Sequence, residues 1–380
     1  MTIKLYDLDS HLKTFQGHVT DCHAVNGQYH IILDQTAFFP SGGGQAADAG
    51  TLNDQPVLGV SEQEGTVIHC TKEPIPVGTE VVGQIDWDTR FRRMQQHSGE
   101  HIVSGLIHQV YGYDNIGFHM GSYAVTVDYN GKITWEELKQ IEYRANEAVM
   151  SNIAVIARYP TPEELSGMEY RSKLDLTENV RIVSIEGYDI CACCAPHVSY
   201  TGEIGLIKFL DCMPHKGGVR INMICGFRAL EDSINKYEQL TEISRMLSAK
   251  TDEAASFVEK LLHQLEEAKQ GLAAMGRRYA QAKMEAISPA QRNLLLFEPD
   301  LDPVTLREMV NVGMERCEGI CAVFSGEDGG YHYVMGSKSA NLQAMTKEIN
   351  QALHGRGGGT TGMIQGSVQC TRHDIEGYFA

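Results

Sequence analysis

Two short clusters in this 380-residue chain carry side chains that bind metals. The first is His97-Ser98-Gly99-Glu100-His101. On a helix, positions four apart lie one above the other on one face, so two imidazoles can reach the same ion. The second is Cys191-Ala192-Cys193-Cys194-Ala195-Pro196-His197, set between two stretches that read as strands. Cys193 and His197 stand four apart in a turn that Pro196 stiffens. Thiolate and imidazole together suit zinc, which takes N and S donors in a tetrahedron. The candidate ligands are therefore His97, His101, Cys193 and His197, with Cys191 and Cys194 left open by spacing as substitutes for Cys193.

A third feature is TAFFPSGGGQAADAG, residues 36–50. Its successive glycines, Gly42, Gly43 and Gly44, permit positive φ or close approach of backbone to a ligand. Gln45 adds an amide and Thr36 a hydroxyl. No strand–helix unit surrounds the run, so it is not a dinucleotide fingerprint. Glu100 is the one carboxylate in the first cluster. It is a candidate general base, although as the neighbour of His101 on a helix it is expected off the ligand face, solvated or behind a ligand. The first cluster also spells the inverted zinc-peptidase motif H-x-x-E-H. Such sites are completed by a downstream carboxylate, not by a Cys-x-x-x-His turn.

These residues need elements to position them. Residues 1–90 read as short strands, with YHIILDQTAFF and EVVGQIDW rich in β-branched and aromatic residues between Gly, Asn, Asp and Pro. From Arg92 the pattern turns helical, with Met94, Ile102, Leu106 and Val110 on one stripe. A second helix, ITWEELKQIEYRANEAVMSN, is followed by IAVIARYP, TPEELSGM, VRIVSIEGYDI and IGLIKFLDC as strand, helix, strand and strand. Residues 229–290 predict a helical hairpin. Its first helix carries Leu230, Ile234, Tyr237, Leu240, Ile243 and Leu247. Its second carries a heptad seam of Leu265, Ala268, Leu272, Met275, Tyr279, Ala282 and Ala286. Thr251 is placed to cap the second helix, and Ser288-Pro289 to end it. Residues 291–380 read as a small α/β domain with a glycine-rich run over residues 355–362. The expected class is α+β: a β-rich, barrel-like domain (1–90), a metal-binding α+β core (91–228), the hairpin (229–290) and the α/β domain (291–380).

Composition restricts the function classes. No segment approaches the roughly 20 apolar residues of a membrane span, and the N-terminus has no stretch like a signal peptide. The default location is the cytoplasm, where ten cysteines stay reduced and clustered ones read as ligands or nucleophiles. A net charge of −17 weighs mildly against nucleic acid, although residues 91–228 are close to balanced. Arg90, Arg92 and Arg93, around the start of that segment, read either as a local basic cluster or as a solvated helix start.

FFPSGGGQAADAGTL, RRMQQHSGEHIVSGL, CCAPHVSYTGEIGLIKFL and GVRINMICGFRAL together resemble the alanyl-tRNA editing family, both the free-standing AlaX proteins and the editing domain of alanyl-tRNA synthetase. The family's C-G-G-T-H-V stands here as CCAPHV, which keeps the ligand pair and replaces the glycines and threonine. The hairpin and GRGGGTTGMIQGSVQ resemble the synthetase's C-terminal domain, as in the long form of AlaX. The resemblance implies zinc, and hydrolysis of the ester joining serine or glycine to the 3′ end of tRNA(Ala). The metal would either activate water or orient the substrate. The same resemblance implies that Thr36 meets the serine hydroxyl, with Gln45 in the same pocket. Arg92, Arg93 and Arg220 become candidates for the tRNA end, and Gly42, Gly43 and Gly44 for the substrate. A homodimer through the C-terminal region is a further expected partner arrangement. Two rival readings are a tRNA-binding module with a structural zinc and a cysteine-based oxidation sensor.

Overall fold

Alternating burial builds the N-terminal part. Six antiparallel strands, β1 (Thr14–Val25), β2 (Gln28–Leu33), β3 (Gly50–Leu52), β4 (Gln55–Gln63), β5 (Thr66–Thr71) and β6 (Glu80–Ile85), close into a barrel in the order β1-β2-β5-β4-β3-β6. Phe15, Val19, Ile31, Leu33, Leu52, Val67 and Val81 fill its interior. The computed structural model describes residues 1–172, 179–288 and 292–380. The chain forms two compact units, residues 1–239 and 240–380.

Helix α1 (Trp87–Tyr111) leaves the barrel directly. It begins five residues before the expected Arg92, because the Asp86 carboxylate accepts from the Thr89 N–H and supplies the cap. It ends at Gly112, whose φ of 68° is the left-handed stop. From Met94 to Ile107 every residue is buried, polar ones included, so α1 is a core helix and not a one-sided one. Val110 lies beyond that stretch and is exposed, contrary to the expected stripe.

Around α1 stand β7 (Asn115–Met120), β8 (Val125–Tyr129), α2 (Trp135–Met150), β9 (Val155–Arg158), β10 (Ile182–Ile185), β11 (Asp189–Ala192), β12 (Ile207–His215) and β13 (Gly218–Cys225). Strands β12-β13-β8-β7 make one sheet and β9-β10-β11 another. Thr134 caps α2 in a reciprocal box with Glu137. Met94, Ile102 and Leu106 of α1 join Val127, Leu138, Ile141, Ile221 and Met223 in one core. Strand β11 delivers the second cluster to the flank of α1.

Helix α3 (Gly226–Leu247) contains the division between the units. Helix α4 (Ala254–Glu285) follows a single 3₁₀ turn, Thr251–Glu253, and Thr251 makes no capping hydrogen bond there. The seam expected on α4 is not what it buries. Leu265, Leu272 and Met275 are exposed, whereas Ala280 and Met284 pack with Leu306, Met309 and Val310. Heptad spacing marks an apolar stripe but does not choose its partner. In α3, Leu230, Ile234 and Tyr237 are likewise exposed. Pro289 of the expected stop lies outside the described residues.

The C-terminal unit adds β14 (Leu294–Glu298), α5 (Pro303–Gly313), β15 (Ile320–Glu327), β16 (Gly330–Ser337), α6 (Leu342–Ala352), β17 (Gly355–Gly359), β18 (Met363–Val368) and α7 (Arg372–Phe379). The sheet order is β14-β15-β16-β18-β17. Most of the glycine-rich run is thus an edge strand, Gly355–Gly359, paired antiparallel with β18. A side chain at Gly357 would run into the buried Tyr333 hydroxyl, 2.2 Å from its would-be Cβ.

Candidate metal centre

His97 and His101 sit in the middle of α1, and Cys193 and His197 in the loop after β11. The fold brings all four together: their ligand atoms lie within 4.8 Å of one another. The Cys193 Sγ is 3.6 Å from Nε2 of His97 and 3.4 Å from Nε2 of His197. A tetrahedral ion bonded to nitrogen at about 2.1 Å and sulfur at about 2.3 Å separates those atoms by about 3.6 Å. The donor set therefore fits one tetrahedral metal ion. Cys194 is exposed, and Cys191 groups instead with His101 and Asp189.

Each imidazole is aimed by its other nitrogen. His97 Nδ1 donates to Gln45 Oε1 at 3.0 Å and His101 Nδ1 to Asp189 Oδ2 at 2.9 Å, while His197 Nδ1 shares a hydrogen bond of 3.0 Å with the Ser98 hydroxyl. With the proton held at Nδ1, His97 Nε2 is left with its lone pair toward the sulfur, the tautomer a metal requires. Burial drives His197 down to about 3, so it is neutral. Burial opposes the Cys193 thiolate, yet His97 and His197 beside it, with hydrogen bonds from His101 and His197, hold the thiol well below its usual range. A thiolate is the form that binds metal.

The glycine run acts through geometry. Gly42 and Gln45 exchange backbone hydrogen bonds of 3.0 and 2.9 Å across Gly43 and Gly44, whose φ values are 58° and 81°. This two-residue turn needs left-handed backbone at both central positions. It directs Gln45 at His97 and leaves room for Phe118, which a Cβ at Gly44 would meet at 2.4 Å. Phe118 in turn stacks on the His97 ring, with centroids 5.0 Å apart. The Gln45 Nε2, also buried, has no hydrogen-bond partner.

Glu100 is not solvated. It is 4% exposed and accepts from Asn115 Nδ2 at 2.6 Å and from the Ser104 hydroxyl. Together with His97, His101 and Cys193 it lines a cavity of about 1770 Å³. Gly43 and Gly44 also line it. Thr36 does not: it is fully buried against the barrel, its hydroxyl 2.8 Å from His69 Nε2. Arg92 pairs with Asp88 and Glu231, Arg93 donates to the Ala47 carbonyl, and Arg220 grips Asp128 through two hydrogen bonds. None of these three lines the cavity. Arg90 is wholly buried on Asp48, so the basic cluster read around it does not form.

Residues given no role by the sequence complete the site. Asp189, Ser98 and Asn115 hydrogen-bond to His101, His197 and Glu100, and among the described residues Arg171 and Arg181 are the arginines on the cavity wall. Arg181 donates to the carbonyls of Cys193 and Ala195, bracing the ligand loop. The signal for Asp189 was faint: Gly105 on α1, whose Cβ would come within 2.2 Å of the Tyr188 carbonyl oxygen, lets β11 approach closely enough for Asp189 to reach His101.

Two family descriptions match this chain: the threonyl and alanyl tRNA synthetase second additional domain over residues 180–237, and class II (A) tRNA synthetases over residues 10–89. The alanyl-tRNA editing protein AlaX-L of Pyrococcus horikoshii is 25% identical, covering 99% of this chain and 96% of the relative. Over nearly its whole length the chain is similar to alanyl-tRNA editing proteins. Its relatives include the alanyl-tRNA editing protein Aarsd1 of Mus musculus, 25% identical over 90% of this chain and 84% of that one. The alanine–tRNA ligase of Pyrobaculum neutrophilum is 29% identical, with 97% of this chain covered but only 43% of the ligase. Both the helical cluster and the Cys-x-x-x-His loop fall within the stretch aligned to AlaX-L, which is nearly the whole chain. Among the described residues no helix is long and apolar enough to cross a membrane.

Proposed function

We propose that this chain hydrolyses the ester bond of tRNA(Ala) wrongly charged with serine or glycine, using zinc held by His97, His101, Cys193 and His197. The observation that carries this is the convergence of three imidazoles and one thiolate sulfur, each ring with its Nδ1 hydrogen-bonded to a different protein oxygen. The names of AlaX-L and Aarsd1 supply the substrate class.

Bound zinc would supply Lewis acidity at the ester, either to a water or to the substrate. The protein's own groups do the rest. His97, His101 and Cys193 stand on the cavity wall, so the cluster faces a space large enough for an aminoacylated nucleotide. That opening gives a substrate access to the cluster; because four protein ligands fill a tetrahedron, either one of them is displaced or the metal acts chiefly by shaping the site. The Gln45 Nε2, buried and without a partner beside His97, is a donor for a substrate oxygen, and a hydroxyl is recognised well only by a group that hydrogen-bonds it. Glu100 keeps the inner wall polar through Asn115 and Ser104. A peptidase role for it lacks support, since the four-residue ligand group holds no carboxylate.

The test is incubation of the full chain with seryl-tRNA(Ala), with alanyl-tRNA(Ala) in parallel. The expected outcome is serine release with alanyl-tRNA(Ala) spared, and at least a hundredfold loss in Cys193→Ala and in His101→Ala. Serine release at the parent rate in both variants would refute the proposal.

A further inference from the structure

Arg171 occurs in no motif, yet the structure ties it to the metal cluster through one residue. Its Nε donates to Asp189 Oδ1 at 2.7 Å and its Nη2 to Asp189 Oδ2 at 2.9 Å. The same Oδ2 accepts the Nδ1 proton of His101 at 2.9 Å. Asp189 is buried, and Arg171 lies mostly so, with one edge on the cavity wall. The backbone fixes the arginine as well: Arg171 N–H donates to the Ile190 carbonyl at 2.8 Å and Ala192 N–H to the Arg171 carbonyl at 2.9 Å. Arg171 thus stands as a one-residue parallel partner beside β11, two residues from Cys193 across the pairing with Cys191.

We infer that Arg171 is a positioning residue for the metal: its planar fork locks the Asp189 carboxylate in the one orientation that aims His101 Nε2 at the ion. The inference rests on the zinc reading of the site. A carboxylate free to turn about its terminal torsion would hold the imidazole through a broad range of angles. Two parallel N–H···O bonds remove that freedom, and only a guanidinium can make both at once. Partners of this kind, one shell behind a ligand, typically govern metal affinity by a factor of about 10–100.

The experiment measures zinc affinity by competition with a chelator for the parent chain, Arg171→Met and Arg171→Lys. It adds the visible spectrum of each protein loaded with cobalt(II), which reports ligand geometry without any turnover. Arg171→Met is expected to weaken zinc about 10- to 100-fold and to shift the cobalt bands. Arg171→Lys keeps the charge and loses the second bond, so an intermediate loss is expected, and its closer likeness to the parent guards against misfolding as the cause. Parent-like zinc affinity and an unchanged cobalt spectrum in Arg171→Met would overturn the inference, including when serine release is lost, because the arginine would then be touching substrate. A parent chain that binds no zinc would instead overturn the reading of the site itself.

Discussion

The barrel and the candidate metal centre each bury histidine, and they satisfy it in opposite ways. His69 is sealed inside the barrel, with Nε2 bound to the Thr36 hydroxyl and Nδ1 to the Ile31 carbonyl. Both nitrogens are used and every partner is neutral. In the centre, His97, His101 and His197 each place Nδ1 on a protein oxygen and turn the other side of the ring toward one shared thiolate. A buried histidine with two neutral partners is a completed core residue. Three with one nitrogen each left facing a sulfur form a site, because polar atoms are rarely buried without a purpose.

Acid gives the largest expected separation between the two. Burial pushes His69 down to about 4, from 6.5 in the unfolded chain. The unfolded state then binds a proton that the folded state refuses, so this contribution is complete above pH 6.5 and is lost as the pH falls toward 4. The shift corresponds to about 3 kcal/mol. Urea midpoints measured between pH 7 and 4 should fall more steeply for the parent than for His69→Phe. Parallel slopes would remove His69 from the account.

A smaller effect is expected at its partner. Thr36→Val should cost about 1–3 kcal/mol of stability, the price of an unpaired buried group at His69. Discrimination between seryl- and alanyl-tRNA(Ala) should persist, since the hydroxyl faces the barrel and not the cavity. Loss of that discrimination with stability intact would show Thr36 serving the substrate, as family resemblance implied, and would blur the line between the two regions.

The convergence of these four side chains was legible because spacing on a helix and in a tight turn is local geometry, which pairs His97 with His101 and Cys193 with His197. Gln45 was flagged by its glycines, although the turn's use in aiming Gln45 at His97 appears only once β7 brings Phe118 against Gly44. Asp189, Ser98 and Arg171 were not legible. Each acts on a group distant in sequence or through a neighbour's side chain, and such meetings are decided by tertiary packing. The arginines show the same limit from the other side. Arg92, Arg93 and Arg220 looked available as charges, but each is held by a carboxylate or carbonyl away from the cavity. The apolar stripe of α4 was visible, whereas the face it buries depends on α5. Barrel closure follows from strand order, which alternation along single strands does not encode.

The central claim is that three imidazoles and one sulfur hold a single ion. X-ray absorption at the zinc edge of the purified full chain counts those atoms directly. The account predicts about one zinc per chain, with one sulfur near 2.3 Å and three nitrogens near 2.0–2.1 Å. A protein that hydrolyses seryl-tRNA(Ala) without metal, or a zinc shell with no sulfur or several, would contradict it.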